Sequence, residues 1–301
     1  MSAEETRRRL RRRADELGLE FQQAIQYYAM ERFLYRLSRS PWADRFVVKG
    51  AVMLRVWSAA VARPTQDIDF VGRIENTPEA VRDAVLACLG AEVPDDSVRF
   101  SDDVDAAQTM LDDRYPGVRA KLRGDFAGAR FTLRLDIGID DAIVPPAGWV
   151  DYPTLLDQPA PRILAYDPAT AVAEKIEAVV SLGLANSRMK DFYDLWMLAG
   201  TLEFDGRLLA ASIAATFTTR GTSLPDEVPP ALTAVFAEQP ATAAMWRGFR
   251  TRLVRSGIEA PAELDQVLNR VTTFVMPPVR AAAEGSPFDA IWTAGEGWHA
   301  A

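Results

Sequence analysis

The sequence predicts an α+β fold, with an N-terminal domain built on a small mixed β-sheet flanked by helices and a C-terminal helical domain. Three observations predict it. Phe46-Val47-Val48-Lys49 and Asp67-Ile68-Asp69-Phe70 read as short strands separated by a Gly50 turn and a helical run. Val98 to Asp140 alternates in short segments, the pattern of antiparallel strands. Beyond a proline-rich crossover at 144–168, apolar residues recur at helical spacing. The chain is therefore divided into residues 1–150 and 151–301, the second part expected to complete an active-site cleft.

In order along the chain, residues 3–17 form a helix whose Arg7-Arg8-Arg9-Leu10-Arg11-Arg12-Arg13 holds six arginines in seven positions. It is either a solvated, frayed helix or an arm for the phosphates of an RNA partner. Residues 19–38 are amphipathic, with Phe21, Ile25, Tyr28, Phe33 and Leu37 near helical spacing. A helix is expected from Ala51 to Ala60. Thr77 caps and Pro78 opens another, through Leu89, with Cys88 as a small core residue. In the strand 131–140, Leu133, Leu135, Ile137 and Ile139 share one face, and Arg134, Asp136, Gly138 and Asp140 the other. Further helices are expected at 169–183, 188–200, 206–217, 228–237, 240–255 and 261–274, with a loose tail after a short helix from Pro277.

Composition narrows the chemistry. Cys88 is the only cysteine and His299 the only histidine. An internal disulfide, cysteine zinc sites, histidine triads and histidine-ligated zinc enzymes are thereby excluded. Catalysis must use carboxylates, lysine, arginine, hydroxyls and backbone groups. No run of about 18 apolar residues exists, and the charged N-terminus lacks the apolar core of a signal peptide. A cytoplasmic protein is expected. The net charge of −8 argues against a general nucleic-acid coat, although local patches can still bind one.

The densest chemistry lies at 46–70. Asp67 and Asp69 alternate with Ile68 and Phe70, so both carboxylates point to one face of their strand. Aspartate is a poor strand former, and paired carboxylates raise each other's pKa. A hard divalent cation relieves that repulsion; Mg²⁺ is typically held by one or two carboxylates and substrate phosphates. The helix N-terminus expected after Gly50 offers free N–H groups and a positive dipole end for a phosphate. Together these make a layout for metal-dependent nucleotidyl transfer.

Lys49-Gly50-Ala51-Val52-Met53-Leu54 and Thr65-Gln66-Asp67-Ile68-Asp69-Phe70 resemble the Lys-Gly-Gly-x-x-Leu and Ser/Thr-x-Asp-Leu/Ile-Asp-Phe blocks of the AbiEii/AbiGii toxin family. That family belongs to the DNA-polymerase-β-like nucleotidyltransferases. The resemblance resumes at Ala173-Glu174-Lys175-Ile176 and Arg188-Met189-Lys190-Asp191-Phe192-Tyr193-Asp194-Leu195.

The resemblance implies a toxin of a toxin–antitoxin or abortive-infection pair that transfers NMP from an NTP, with Mg²⁺ or Mn²⁺. The expected acceptor is the tRNA 3′ end, and a cognate antitoxin is expected from a neighbouring reading frame. A small-molecule or protein acceptor, and a non-catalytic nucleotide sensor, are the alternatives. The implied metal ligands are Asp67, Asp69 and Asp136, the last also accepting a proton. Asp140 and Asp141 compete with Asp136 but read as turn residues. Nucleotide contacts fall to Lys49, Gly50, Ala51, Thr65 and Lys175, and Asp191 is an active-site residue. Ala51 departs from the usual Gly or Ser, which removes a hydroxyl and restricts φ.

Overall fold

The computed structural model describes residues 2–58, 62–111, 115–139 and 141–301. These fall into two compact units, Met1–Asp140 with Gly148–Ala165, and Asp141–Ala147 with Tyr166–Ala301.

The first unit carries a seven-stranded mixed sheet in the order β3-β4-β5-β2-β1-β7-β6. Its strands are β1 (Phe46–Lys49), β2 (Asp67–Gly72), β3 (Val98–Leu111), β4 (Tyr115–Phe126), β5 (Ala129–Gly138), β6 (Gly148–Asp151) and β7 (Arg162–Ala165). β3, β4 and β5 are longer than the short segments expected, at 14, 12 and 10 residues. Alternation persists because one face packs and the other is polar. The β4–β5 hairpin turns on Ala127 and Gly128, with φ of 49° and 85°. Two positive φ values suit the right-handed strand twist. β3 is an edge strand, and exposed Asp102, Asp103 and Asp105 blunt it.

Helices α1 (Ala3–Glu16), α2 (Phe21–Ser38) and α4 (Pro78–Leu89) complete this unit. Thr77 accepts from Ala80 N and so caps α4 as expected. Phe33 and Leu37 of α2 and Val85 and Cys88 of α4 join Phe70, Leu135 and Ile137 of the sheet in one buried cluster. Burial pushes the Cys88 thiol up to about 11, which fits a core role. The helix expected from Ala51 is a 3₁₀ turn (Gly50–Met53) running into a short α3 (Leu54–Trp57); residues 59 and 60 lie outside the described residues. Arg55 on α3 lies 4.4 Å over the Tyr27 ring, tying the turn to α2.

The second unit is mainly helical: α5 (Pro168–Leu182), α6 (Met189–Thr201), α7 (Gly206–Arg220), α8 (Ala234–Ala237), α9 (Pro240–Arg255) and α10 (Leu264–Glu284). It is not all helix. β8 (Phe204–Asp205), β9 (Ala290–Thr293) and β10 (Gly297–Ala300) form a small antiparallel sheet, so the expected loose tail is a hairpin. α10 also runs ten residues past the expected end at 274, through Pro277 and Pro278. Pro278 has no N–H for the Phe274 carbonyl four residues earlier. Trp298 Nε1 donates to that carbonyl at 2.9 Å. Phe274 also packs against Trp292 and Phe204, each at 4.9 Å.

Trp298→Phe keeps an aromatic ring but removes the donor and part of the indole. It is expected to lower unfolding stability by about 1 kcal/mol, read as a shifted urea midpoint with an unchanged slope.

Candidate active site

Strand register assembles the site in the first unit. Lys49 of β1 pairs with Asp69 of β2, Asp69 with Asp136 of β5, and Asp136 with Arg119 of β4. Paired residues share a face, so these four stand in one row across four strands. The adjacent row brings Asp67, Arg134 and Lys121 together. The opposite face carries Ile68, Phe70, Leu135 and Ile137, all buried. The apolar residues therefore orient the strands, and the charged row follows from alternation.

Gly50 closes the site from the side. Its φ is 73°, and a Cβ there would overlap Asp69 Oδ2. Only glycine meets both demands. Ala51 is buried in the following turn. Thr65 does not aim its hydroxyl outward: Oγ1 donates to the Asp67 carbonyl at 3.2 Å, holding the entry to β2.

The carboxylates are already paired. Arg119 donates Nε and Nη2 to the two oxygens of Asp136, both at 2.7 Å. This hydrogen bond to Asp136 holds the guanidinium pKa above its ordinary value. The Asp136 side chain is 11% exposed and that of Arg119 36%. Arg134 Nε stands 2.7 Å from Asp67 Oδ1, but that oxygen accepts no well-aligned hydrogen bond, so the contact is an ion pair. Carboxylate oxygens are the donors a hard divalent cation takes, and in that respect Asp67, Asp69 and Asp136 fit one. As they stand, no three Asp, Glu, His or Cys side chains among the described residues are gathered as a ligand set.

The remaining predicted residues lie in the second unit. Lys175 Nζ donates to Asp191 Oδ1 at 3.1 Å and to Asp194 Oδ2 at 2.7 Å. Arg188 Nε donates to Asp191 Oδ2 at 2.6 Å. Asp191 and Asp194 are buried, so neither forms a plain helix-surface pair. Burial alone would raise the Asp191 pKa, but Lys175, Arg188 and Lys190 hold it below the carboxylate range. Of the rivals to Asp136, Asp141 is paired with Arg220 at 3.3 Å in this unit, and Asp140 lies outside the described residues.

The arginine-rich α1 is a packed helix rather than a frayed one. Leu10 and Ala14 are buried, Arg7 donates to the Ala127 carbonyl at 2.8 Å, and Arg11 lies 4.0 Å over the Phe21 ring. Sequence reasoning missed Arg119 and Arg134 as site residues. Arg134 was visible on the face of Asp136; Arg119 needed the β4–β5 register, which no local pattern shows.

A family model for the nucleotidyl transferase AbiEii toxin of type IV toxin–antitoxin systems matches residues 32–270. The chain belongs to that family. It is a nucleotidyltransferase toxin, and the match spans both charged clusters. No curated protein is matched. Among solved structures, the chain is similar to MenT4, a nucleotidyltransferase toxin of Mycobacterium tuberculosis H37Rv, at 18% identity and a TM-score of 0.53, covering 90% of this chain and 98% of that one. It is also similar to JHP933 of Helicobacter pylori, at 15% identity and a TM-score of 0.48, covering 89% and 94%. The likeness to MenT4, at that identity, speaks for the fold alone. No described helix of this AbiEii-family toxin is long and apolar enough to cross a membrane.

Two expectations follow. Gly50→Ala forces a Cβ into Asp69 at a left-handed φ. It should abolish nucleotidyl transfer and cost at least about 1–2 kcal/mol from the φ strain alone, measured by activity and urea unfolding together. Asp191 has a lowered folded pKa, so its stabilisation is present above the unfolded carboxylate value of about 3.9 and is lost as pH falls below it. Asp191→Asn should cost about 3–5 kcal/mol at pH 7, because it breaks a buried pair. The gap from wild type should shrink in urea titrations near pH 3; a constant gap would rule out Asp191 as the source.

Proposed function

We propose that this AbiEii-family toxin transfers NMP from an NTP to the 3′ end of a tRNA, assisted by Mg²⁺ or Mn²⁺. The observation that carries the reading is the register row Lys49–Asp69–Asp136–Arg119 beside the Gly50 turn. It sets carboxylates for a cation next to cations for phosphates on one sheet face. Asp67, Asp69 and Asp136 would hold the metal, which supplies charge stabilisation for the phosphoryl oxygens.

The acceptor hydroxyl oxygen attacks the α-phosphorus, an O–P bond forms, the α–β phosphoanhydride bond breaks, and pyrophosphate leaves. Asp136, once free of Arg119, takes the hydroxyl proton. Lys49, at the end of the row, would contact a phosphate. Lys175 and Asp191 enter the reading through the family resemblance, Lys175 as a point charge for phosphate.

Support for an RNA acceptor comes from a second feature of the first unit. Tyr35, Arg39, Trp149 and Arg162 line an open groove of about 450 Å³, without a carboxylate among its lining residues. Trp149 is 46% exposed. Aromatic faces with guanidinium groups suit unpaired bases and their phosphates. The net charge of −8 favours the rival reading of a small-molecule or protein acceptor. A cognate antitoxin follows from the type IV family.

The test incubates the protein with each α-³²P-labelled NTP, Mg²⁺ and total bacterial RNA, beside Asp67→Ala. A labelled tRNA-sized band, lost in the variant, is expected. Label on a protein or small molecule instead would overturn the RNA acceptor, and no label on any acceptor would favour a nucleotide sensor.

A further inference from the structure

The pairing of Asp136 is tighter than a spectator contact requires. Arg119 reaches it through two parallel hydrogen bonds of 2.7 Å, the bidentate fork that makes arginine–carboxylate pairs strong and directional. Asp136 is the most enclosed of the pair, at 11% exposure, so water screens this contact less than a surface pair. By contrast, Asp67 and Arg134 are 36% and 41% exposed, and theirs is an ordinary screened contact. Asp69 stands beside Asp136 in the register. The Arg119 charge thus offsets the repulsion between two neighbouring carboxylates in the row.

We propose that Arg119 is a latch on Asp136: it occupies the carboxylate and must release it before a divalent cation can take an Asp136 oxygen. Arg119 is then a positioning residue that acts through Asp136. A cation on either oxygen would face the guanidinium at short range, and like charges repel. Metal alone therefore binds poorly. A metal arriving with a triphosphate binds better, because the phosphates give the released guanidinium a new bidentate partner. The arrangement deepens the proposed reaction and rests on its reading of Asp136 as a metal ligand.

The experiment measures Mn²⁺ binding to the full chain without nucleotide, from the electron paramagnetic resonance signal of free Mn²⁺. The proteins are wild type, Arg119→Gln, Arg119→Lys, Asp69→Asn and the double variant Arg119→Gln/Asp136→Asn, with thermal unfolding recorded for each. Arg119→Gln should bind Mn²⁺ about tenfold tighter than wild type or more, since a competing positive charge is gone. Arg119→Lys should stay near wild type, and the double variant should lose the gain.

A residue that merely supports the fold would lower the melting temperature without tightening Mn²⁺ binding, and that result would overturn the latch. If Arg119→Gln does not fold, Arg119→Met takes its place: tighter Mn²⁺ binding than wild type upholds the proposal, and unchanged or weaker binding overturns it. A tighter double variant overturns it. Failure of the reaction reading looks different: Mn²⁺ binding would be absent from every protein, or the same in Asp69→Asn as in wild type.

Discussion

Two carboxylates placed side by side by strand register are the constraint around which the first unit is arranged. Parallel pairing of β2 with β5 sets Asp69 against Asp136, and the apolar residues on the other face prevent any slip. A one-residue shift would turn Ile68 and Phe70 to solvent. The core therefore enforces an electrostatically costly juxtaposition. The sheet answers that cost locally, with Lys49 at one end of the row and Arg119 at the other. Gly50 contributes by omission, since any side chain there would displace Asp69.

The second unit solves a similar problem by burial. Asp191 and Asp194 are almost fully enclosed, and such charges persist only when paired. Lys175 and Arg188 supply the pairing. Arg220 does the same for buried Glu177, together with Glu174 and Asp141. Each pair makes folding and local charge interdependent. Removing one member leaves an uncompensated buried ion, which is why these positions read as chemistry and as architecture at once.

Much of this was legible in residue order. Alternation placed Asp67, Asp69 and Asp136 on one face each, and helical spacing with caps located α2, α4, α5, α6 and α9 closely. Three features were not legible. The Arg119–Asp136 pair depends on register between strands, which sequence spacing does not state. α10 crosses two prolines because Trp298, twenty residues on, serves the carbonyl that Pro278 leaves open. The β9–β10 hairpin hides in a Gly/Ala-rich tail whose information is carried by Trp292 and Trp298, and their partner Phe274 is remote in sequence.

The turn after Gly50 changes where positive charge for a triphosphate must come from. The expected ten-residue helix would have offered a dipole and a row of free N–H groups. The chain instead forms one 3₁₀ turn and one α-helical turn, too short for aligned peptide dipoles to accumulate much charge. Ala51 adds no hydroxyl. Phosphate recognition on the proposed reading therefore leans on side-chain cations: Lys49, Arg119 and Arg134 on the sheet, and Lys175 by the family resemblance. Arg119 and Arg134 already hold carboxylates. On that reading carboxylates and phosphates compete for the same guanidinium groups.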